Sequence, residues 1–275
     1  MATFWSVLDK NPATVQLAAG TSDLYQRHSD GRIFRYTGTP LTGWQELDKN
    51  PATVEIVAAG SDLFQRHANG RIWKYTGKPY VWQELDKNPV TVQLAAAPGV
   101  LYQRHGNGRI WKYTGTPFTG WQELDKNPAT VEIVAAGSDL FQRHANGRIW
   151  KYTGKPYVWQ ELDKNPVTVQ LAAAPGVLYQ RHGNGRIWKY TGTPFTGWQE
   201  LDKNPATTDI GAGSRSLYQR HTTGEVWEYT GTPHKGWQLL TPTASDTTAI
   251  VVAEKLGVVR LCANGEIAIR ETYIG

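Results

Sequence analysis

The chain has 275 residues, 29 Lys+Arg against 24 Asp+Glu for a formal net charge of +5, and one cysteine beside 12 tryptophans. At 40% hydrophobic and 11% aromatic it has the apolar material for a packed core, which excludes wholesale disorder. No apolar run approaches the ~20 residues of a membrane span, and the start Met-Ala-Thr-Phe-Trp-Ser has neither the basic nor the apolar part of a secretion signal.

The lone Cys262 excludes an intramolecular disulfide and a zinc site built from several cysteines. The chain is therefore expected to be soluble, cytoplasmic or released by a non-classical route, and held together by packing.

In chain order, Thr3-Phe4-Trp5-Ser6-Val7-Leu8 reads as a strand with no three strands before it. Trp5, Trp44, Trp82, Trp121, Trp159, Trp198 and Trp237 then open similar units spaced by 38 or 39 residues, the seventh running from 237 to 275. Residues 42–130 recur letter for letter as 119–207, an offset of 77 that equals two units. A very young duplication and an engineered one both fit.

The second unit shows the elements. Val54–Ala58, Asp62–His67 and Arg71–Thr76, followed by Trp82–Leu85, are short β-rich runs between turn signals, and no run has a helical period. Asn69-Gly70 and its equivalents close a tight hairpin, and Asn50-Pro51 and its copies break the chain before the next strand.

Four strands in about 40 residues, seven times over, predict an all-β fold: a seven-bladed β-propeller of four-stranded antiparallel blades. Small residues end the inner-strand candidates, as in Ala18-Ala19-Gly20 and Ala58-Ala59-Gly60, where strands crowd a central channel. The last unit supplies three strands, Ile250–Ala253, Val258–Leu261 and Glu266–Arg270, so the N-terminal strand is expected to complete the last blade and close the ring. One domain over 1–275 then replaces the two that length alone suggests.

The seven leading tryptophans occupy every unit, as packing residues between blades would. A second series, Trp73, Trp111, Trp150, Trp188 and Trp227, is replaced by Phe34 in the first unit and Ala268 in the last, which suits an aromatic platform that one blade can lose. Gln-Arg-His recurs six times, and its seventh equivalents are Arg260, Leu261 and Cys262.

A three-residue hairpin turn with a bulge would set His67 opposite Arg71 and Gln65 opposite Trp73 on one face; a two-residue turn would put Arg66 opposite Trp73. The first is expected. Each blade then presents an indole beside an amide, an imidazole and a guanidinium, which suits a sugar: the ring face stacks and the hydroxyls take directed hydrogen bonds.

The candidate carbohydrate-binding residues are Gln65, His67, Arg71 and Trp73; Gln103, His105, Arg109 and Trp111; Gln142, His144, Arg148 and Trp150; Gln180, His182, Arg186 and Trp188; and Gln219, His221 and Trp227. The competing expectation is a hydrogen-bonded network that pins neighbouring blades.

Leu-Asp-Lys-Asn-Pro, in six copies from Asp9 to Asp202, offers too few oxygens for calcium and reads as an Asx turn ahead of proline. No G-x-S-x-G, no H-E-x-x-H and no plausible thiol nucleophile is present, so no enzyme, metal or cofactor is expected. Basic residues are spread evenly over the repeats, which makes nucleic acid an unlikely partner and membrane insertion unsupported.

The pattern W-x-x-L-D-x-N-P followed by L-Y-Q-R-H-x-x-G-R-I-W-K-Y-T-G resembles the tectonin and tachylectin-like group of β-propeller lectins over residues 5–275. That resemblance implies sugar binding at repeated sites without catalysis, glycans or glycoconjugates as partners, and no site on the degenerate last blade. The function expected is multivalent glycan recognition. Its rivals are a recently duplicated or engineered scaffold without a ligand, favoured by the 77-residue repeat, and a propeller enzyme, which would need one deep pocket with a perturbed acid or base.

Overall fold

The computed structural model describes residues 3–242 and 245–272, within which the chain forms seven four-stranded antiparallel sheets and no helix. Six blades each use four consecutive strands. The second, for example, runs Thr53–Ala59, Asp62–His67, Ile72–Lys78 and Val81–Asp86 from the axis outward. Innermost strands of successive blades touch around the ring, and Thr14–Ala19 of the first blade meets both Thr53–Ala59 of the second and Thr247–Ala253 of the seventh.

The ring closes as the sequence predicts. Thr3–Lys10 pairs antiparallel with Glu266–Thr272, setting Trp5 opposite Arg270 and Val7 opposite Ala268, and becomes the outer strand of the seventh blade. Residues 1, 2, 243, 244 and 273–275, which the expected domain and the last units include, lie outside the described residues.

Seven apolar clusters fill the gaps between blades. One joins Phe64, Ile72 and Leu85 of the second blade to Leu94 and Leu101 of the third, with Tyr113 and Trp121 packed against it. The alternation of each strand sends Ile72-type residues to one side and Trp73-type residues to the other, so both faces of a blade are occupied. Leading tryptophans tie the blades as expected: Trp121 Nε1 donates to the Leu85 carbonyl at 3.2 Å and Trp44 Nε1 to that of Leu8 at 2.9 Å.

The second-to-third strand hairpin fixes the register that matters for the site. Gly70 has φ +81, and a Cβ there would lie 2.2 Å from the Asn88 carbonyl oxygen, so glycine is required. Gly70 N–H donates to His67 O and His67 N–H to Arg71 O, both at 2.9 Å, which is the three-residue turn. Gln65 therefore stands opposite Trp73. Equivalent pairs, such as Gln103 with Trp111 and Gln180 with Trp188, follow in the other blades.

At the end of the bore reached by the innermost strands' last residues, Ala19, Gly20, Ala59, Gly60, Ala97 and Pro98 belong to an apolar collar around a cavity of about 170 Å³. The crowding is real: a Cβ on Gly20 would sit 2.5 Å from the Gly60 carbonyl oxygen.

Candidate functional site

Each of the first six blades carries a buried Asp–Gln–Thr chain on the face toward its predecessor; in the first five the histidine joins it, while in the sixth His221 Nε2 is buried without a hydrogen bond. In the fifth, Gln180 is 1% exposed; its Nε2 donates to Asp163 Oδ2 at 2.8 Å and its Oε1 accepts from Thr168 Oγ1 at 2.5 Å. The same Oε1 faces His182 Nε2 at 3.2 Å. A carbonyl oxygen has no proton to give, so Nε2 is the donor and the lone pair of the neutral imidazole lies on Nδ1.

Burial pushes the pKa of His67, His105, His144 and His182 below the ordinary 6.5, which keeps these rings neutral at pH 7. His28 and His221 shift the same way for the same reason. The sixth blade shows where Nδ1 points, because Glu225 takes the place of Arg71 there and its Oε2 lies 3.6 Å from His221 Nδ1.

The imidazole packs on the second tryptophan, with centroids 5.7 Å apart for His182 and Trp188. The indole Nε1 of Trp73, Trp111, Trp150, Trp188 and Trp227 is buried and makes no hydrogen bond. Opposite Trp188 stands Glu200, whose Oε1 also makes none and lies 3.2 Å from Arg186 Nη1. Arg71, Arg109 and Arg148 make the same ion pair with Glu84, Glu123 and Glu161 at 3.3–3.4 Å. An N–H left unpaired in the interior costs about 1–3 kcal/mol, and five copies of one such group point to an acceptor arriving from outside.

Between the fourth and fifth blades these groups open into a pocket of about 220 Å³ lined by Asp163, Asn165, Gln180, His182, Trp188, Phe195, Thr196 and Trp198. Its rim was not foreseen. Leu41, Tyr80, Phe118, Tyr157, Phe195 and His234 occupy the loop before the outer strand with φ between 64° and 67°, each donating its N–H to the outer strand of the preceding blade, as Phe195 does to Leu162 O at 2.8 Å. Phe118 and Phe195 each carry a lysine ammonium 4.8 Å over the ring, from Lys87 and Lys164. The available signal was one bulky residue per unit directly after Pro40, Pro79, Pro117, Pro156, Pro194 and Pro233.

The structure thus brings the predicted residues of each blade to one face but corrects their use. Gln65, Gln103, Gln142, Gln180 and Gln219 are each 1% exposed and bind Asp48, Asp86, Asp125, Asp163 and Asp202 rather than waiting for a ligand. What remains open is the imidazole Nδ1, the indole N–H and the aromatic rim. Asn50 makes the expected Asx turn, its Oδ1 accepting Ala52 N–H at 3.0 Å, while the neighbouring Asp48 has the added task of holding Gln65.

No protein-family model and no curated sequence matches the chain. Among solved structures it is similar to a streptogramin B lyase, with TM-score 0.73, 15% identity, and 98% of this chain and 97% of that one covered. It is similar to YCF48 bound to D1 peptide, with TM-score 0.72, 12% identity, and 98% and 97% covered. It is also similar to a catalytically inactive histidine-to-alanine variant of virginiamycin B lyase from Staphylococcus aureus with quinupristin, with TM-score 0.71, 15% identity, and 99% and 100% covered.

These likenesses share the seven-bladed fold and overturn two expectations. The reading as a lectin is corrected: the structures just described are lyases and a peptide-bound protein, and the amides assigned to sugar hydroxyls already have partners inside the protein. The expectation that the chain is no enzyme is corrected with it, because the same ring carries lyase chemistry in those neighbours.

Proposed function

We propose that this propeller is an enzyme of the lyase class, acting by acid–base chemistry on a small molecule held between blades. The observation that carries this reading is a neutral buried imidazole with its Nδ1 lone pair free, packed on an indole whose N–H has no partner. His182 Nδ1 would take the proton next to a carbonyl, and Trp188 Nε1–H would stabilise the negative charge on the enolate oxygen. As the enolate collapses to a C=C bond the C–O bond at the β-carbon would break, releasing the carboxylate of an ester or lactone and leaving the proton on the imidazole. The same side-chain arrangement recurs in the second, third and fourth blades through His67, His105 and His144, which offers a series of equivalent sites. A propeller lyase that loses catalysis with one histidine supports the chemistry.

Quinupristin and simple lactones, incubated with the protein and followed by mass spectrometry, test it. Turnover should fall stepwise as His67, His105, His144 and His182 are changed to Gln in turn, and its rate should climb with pH through a value below 6.5. Turnover that ignores all four changes, or none on any ester or lactone, overturns the assignment.

A second reading, peptide docking on the face that carries the rim, rests on the exposed aromatics in left-handed conformation and on the peptide-bound neighbour. It predicts that Tyr80→Gly and Phe118→Gly remove binding on a peptide array while the histidine variants do not.

A further inference from the structure

The opposite face of each blade carries a different set of charges. An innermost strand has only one neighbour in its sheet, so its other edge faces the bore with unpaired backbone groups. The side chain of the third position covers that edge in the next blade: Gln16 Nε2 donates to Ile56 O and its Oε1 accepts from Ile56 N–H, both at 3.1 Å. Glu55 accepts from Leu94 N–H at 3.2 Å, Gln93 repeats the amide clamp on Ile133, and Glu132 accepts from Leu171 N–H.

Each of these side chains holds the arginine of the Gln-Arg-His triplet. Arg66 and Arg143 donate Nε to Glu55 and Glu132 at 2.6 Å, and Arg27, Arg104 and Arg181 donate to Gln16, Gln93 and Gln170 at 2.8–3.0 Å. Arg220 stands 3.9 Å from Asp209, its Nε buried without a hydrogen bond. The seventh blade breaks the circle with Leu261 and Ala249 at the corresponding places.

The clamps around the ring therefore hold six guanidiniums against three carboxylates, which leaves three positive charges, while the cavity within the collar adds one carboxylate, Glu254. Within the described residues, Nη2 of these six arginines makes no hydrogen bond, and the Nη1 contacts to backbone carbonyls stretch to 3.3–3.5 Å. Burial lowers the pKa of Arg27, Arg104 and Arg181, and the neighbouring arginines act in the same direction against the nearby carboxylates. Val15, Val54, Val92, Val131 and Val169, one place before the clamp residues, are 37–47% exposed, so solvent reaches this level of the ring.

We infer that the axis of the ring holds a site for a compact oligophosphate, bound by the spare donors of the arginine belt. Planar guanidiniums with free donors match phosphate oxygens in pairs, and like charges held close gain most from a multivalent anion. The site is independent of the histidine pockets, which lie on the other face of each blade.

The chain itself supplies the variants. Glutamine and glutamate alternate at the clamp position in otherwise equivalent blades, so exchanging them keeps a side chain that the fold already accepts. Titration calorimetry with inorganic tripolyphosphate at low salt should give one site per ring. Gln16→Glu with Gln93→Glu should weaken it at least tenfold, and Glu55→Gln with Glu132→Gln should tighten it by a similar factor. ATP in a parallel arm asks whether a nucleoside is tolerated or read.

Absence of binding to the unaltered protein, several weak sites per ring, or a dissociation constant that does not follow the clamp charge each overturns the proposal. The four histidine-to-glutamine variants should bind tripolyphosphate unchanged, which separates failure here from failure of the lyase reading.

Discussion

Five blades carry the full Asp–Gln–Thr–His chain, the sixth carries it with His221 Nε2 unbonded, and the seventh does without it. There Arg260 stands in the glutamine's place opposite Ala268, lies 4.9 Å over the Trp5 ring, and donates Nη1 to Ser245 Oγ at 3.2 Å. Cys262 replaces the histidine, its thiol buried and pushed up to about 12 by that burial. Val259, Ile267 and Ala268 are 0% exposed, so where the other blades bury the Gln–His pair this blade packs mainly apolar side chains, with Arg260, Ser245 and Thr247 as its polar group. A blade can therefore be built from strand pairing and inter-blade packing. The polar chain does something further in the second to fifth blades: it fixes the tautomer and tilt of an imidazole beside an indole.

Acid should expose that contrast most strongly. Burial lowers the pKa of all six triplet histidines, so as pH falls the unfolded chain takes up protons first. Their contribution is complete above about 6.5 and is lost as pH drops through 6.5 toward the folded values, with each histidine adding up to ~1.4 kcal/mol per pH unit. Urea unfolding between pH 7.5 and 5 should show a steep, cooperative loss of stability, which His182→Gln lessens by about a sixth. A flat profile over that range would mean that the imidazoles are not held neutral.

Within one blade, Gln142→Ala should cost about 4 kcal/mol, because it strands Asp125 Oδ2, Thr130 Oγ1 and His144 Nε2 in the interior at ~1–3 kcal/mol each, with partial relaxation. Cys262→Ala in the seventh blade removes one buried sulfur and should cost about 1 kcal/mol. Denaturant midpoints of the two variants, at unchanged slope, measure the difference directly. Equal costs would erase the distinction between the two kinds of blade.

Much of this was legible in the sequence. The tryptophan spacing located every blade, the orphan first strand found its place beside Glu266–Thr272, and of the two hairpin registers that the sequence allowed the expected three-residue turn, with Gln65 against Trp73, is the one formed. What was not legible is who answers a polar side chain. Gln65 was certain to need partners, yet its acceptor Asp48 sits 17 residues back, in a motif that already had a complete explanation as a turn. Sequence gives the demand for a hydrogen bond and leaves open whether protein or ligand meets it. The rim was hidden for another reason: a left-handed backbone is normally announced by glycine or asparagine, and here tyrosine and phenylalanine adopt it.

That rim gives the smallest effect and the finest distinction. The seventh blade has no such loop, since its third and outer strands are not consecutive in the chain. In the fourth, Tyr157 holds φ 64°, a conformation that costs a bulky residue about 1–2 kcal/mol. In return the ring carries Lys126 at 5.6 Å and the hydroxyl donates to Glu123 at 2.9 Å, both in exposed surroundings where solvent screens them. Tyr157→Gly relieves the strain, loses these contacts and adds the entropy of glycine, so its stability should stay within ~1 kcal/mol of the parent. A thermal midpoint that barely moves, together with loss of turnover or of peptide binding at that blade, would show that the strained aromatic is kept for what it touches outside the protein. A fall of several kcal/mol would instead make its side chain a brace between the third and fourth blades, through the ring under Lys126 and the hydroxyl on Glu123.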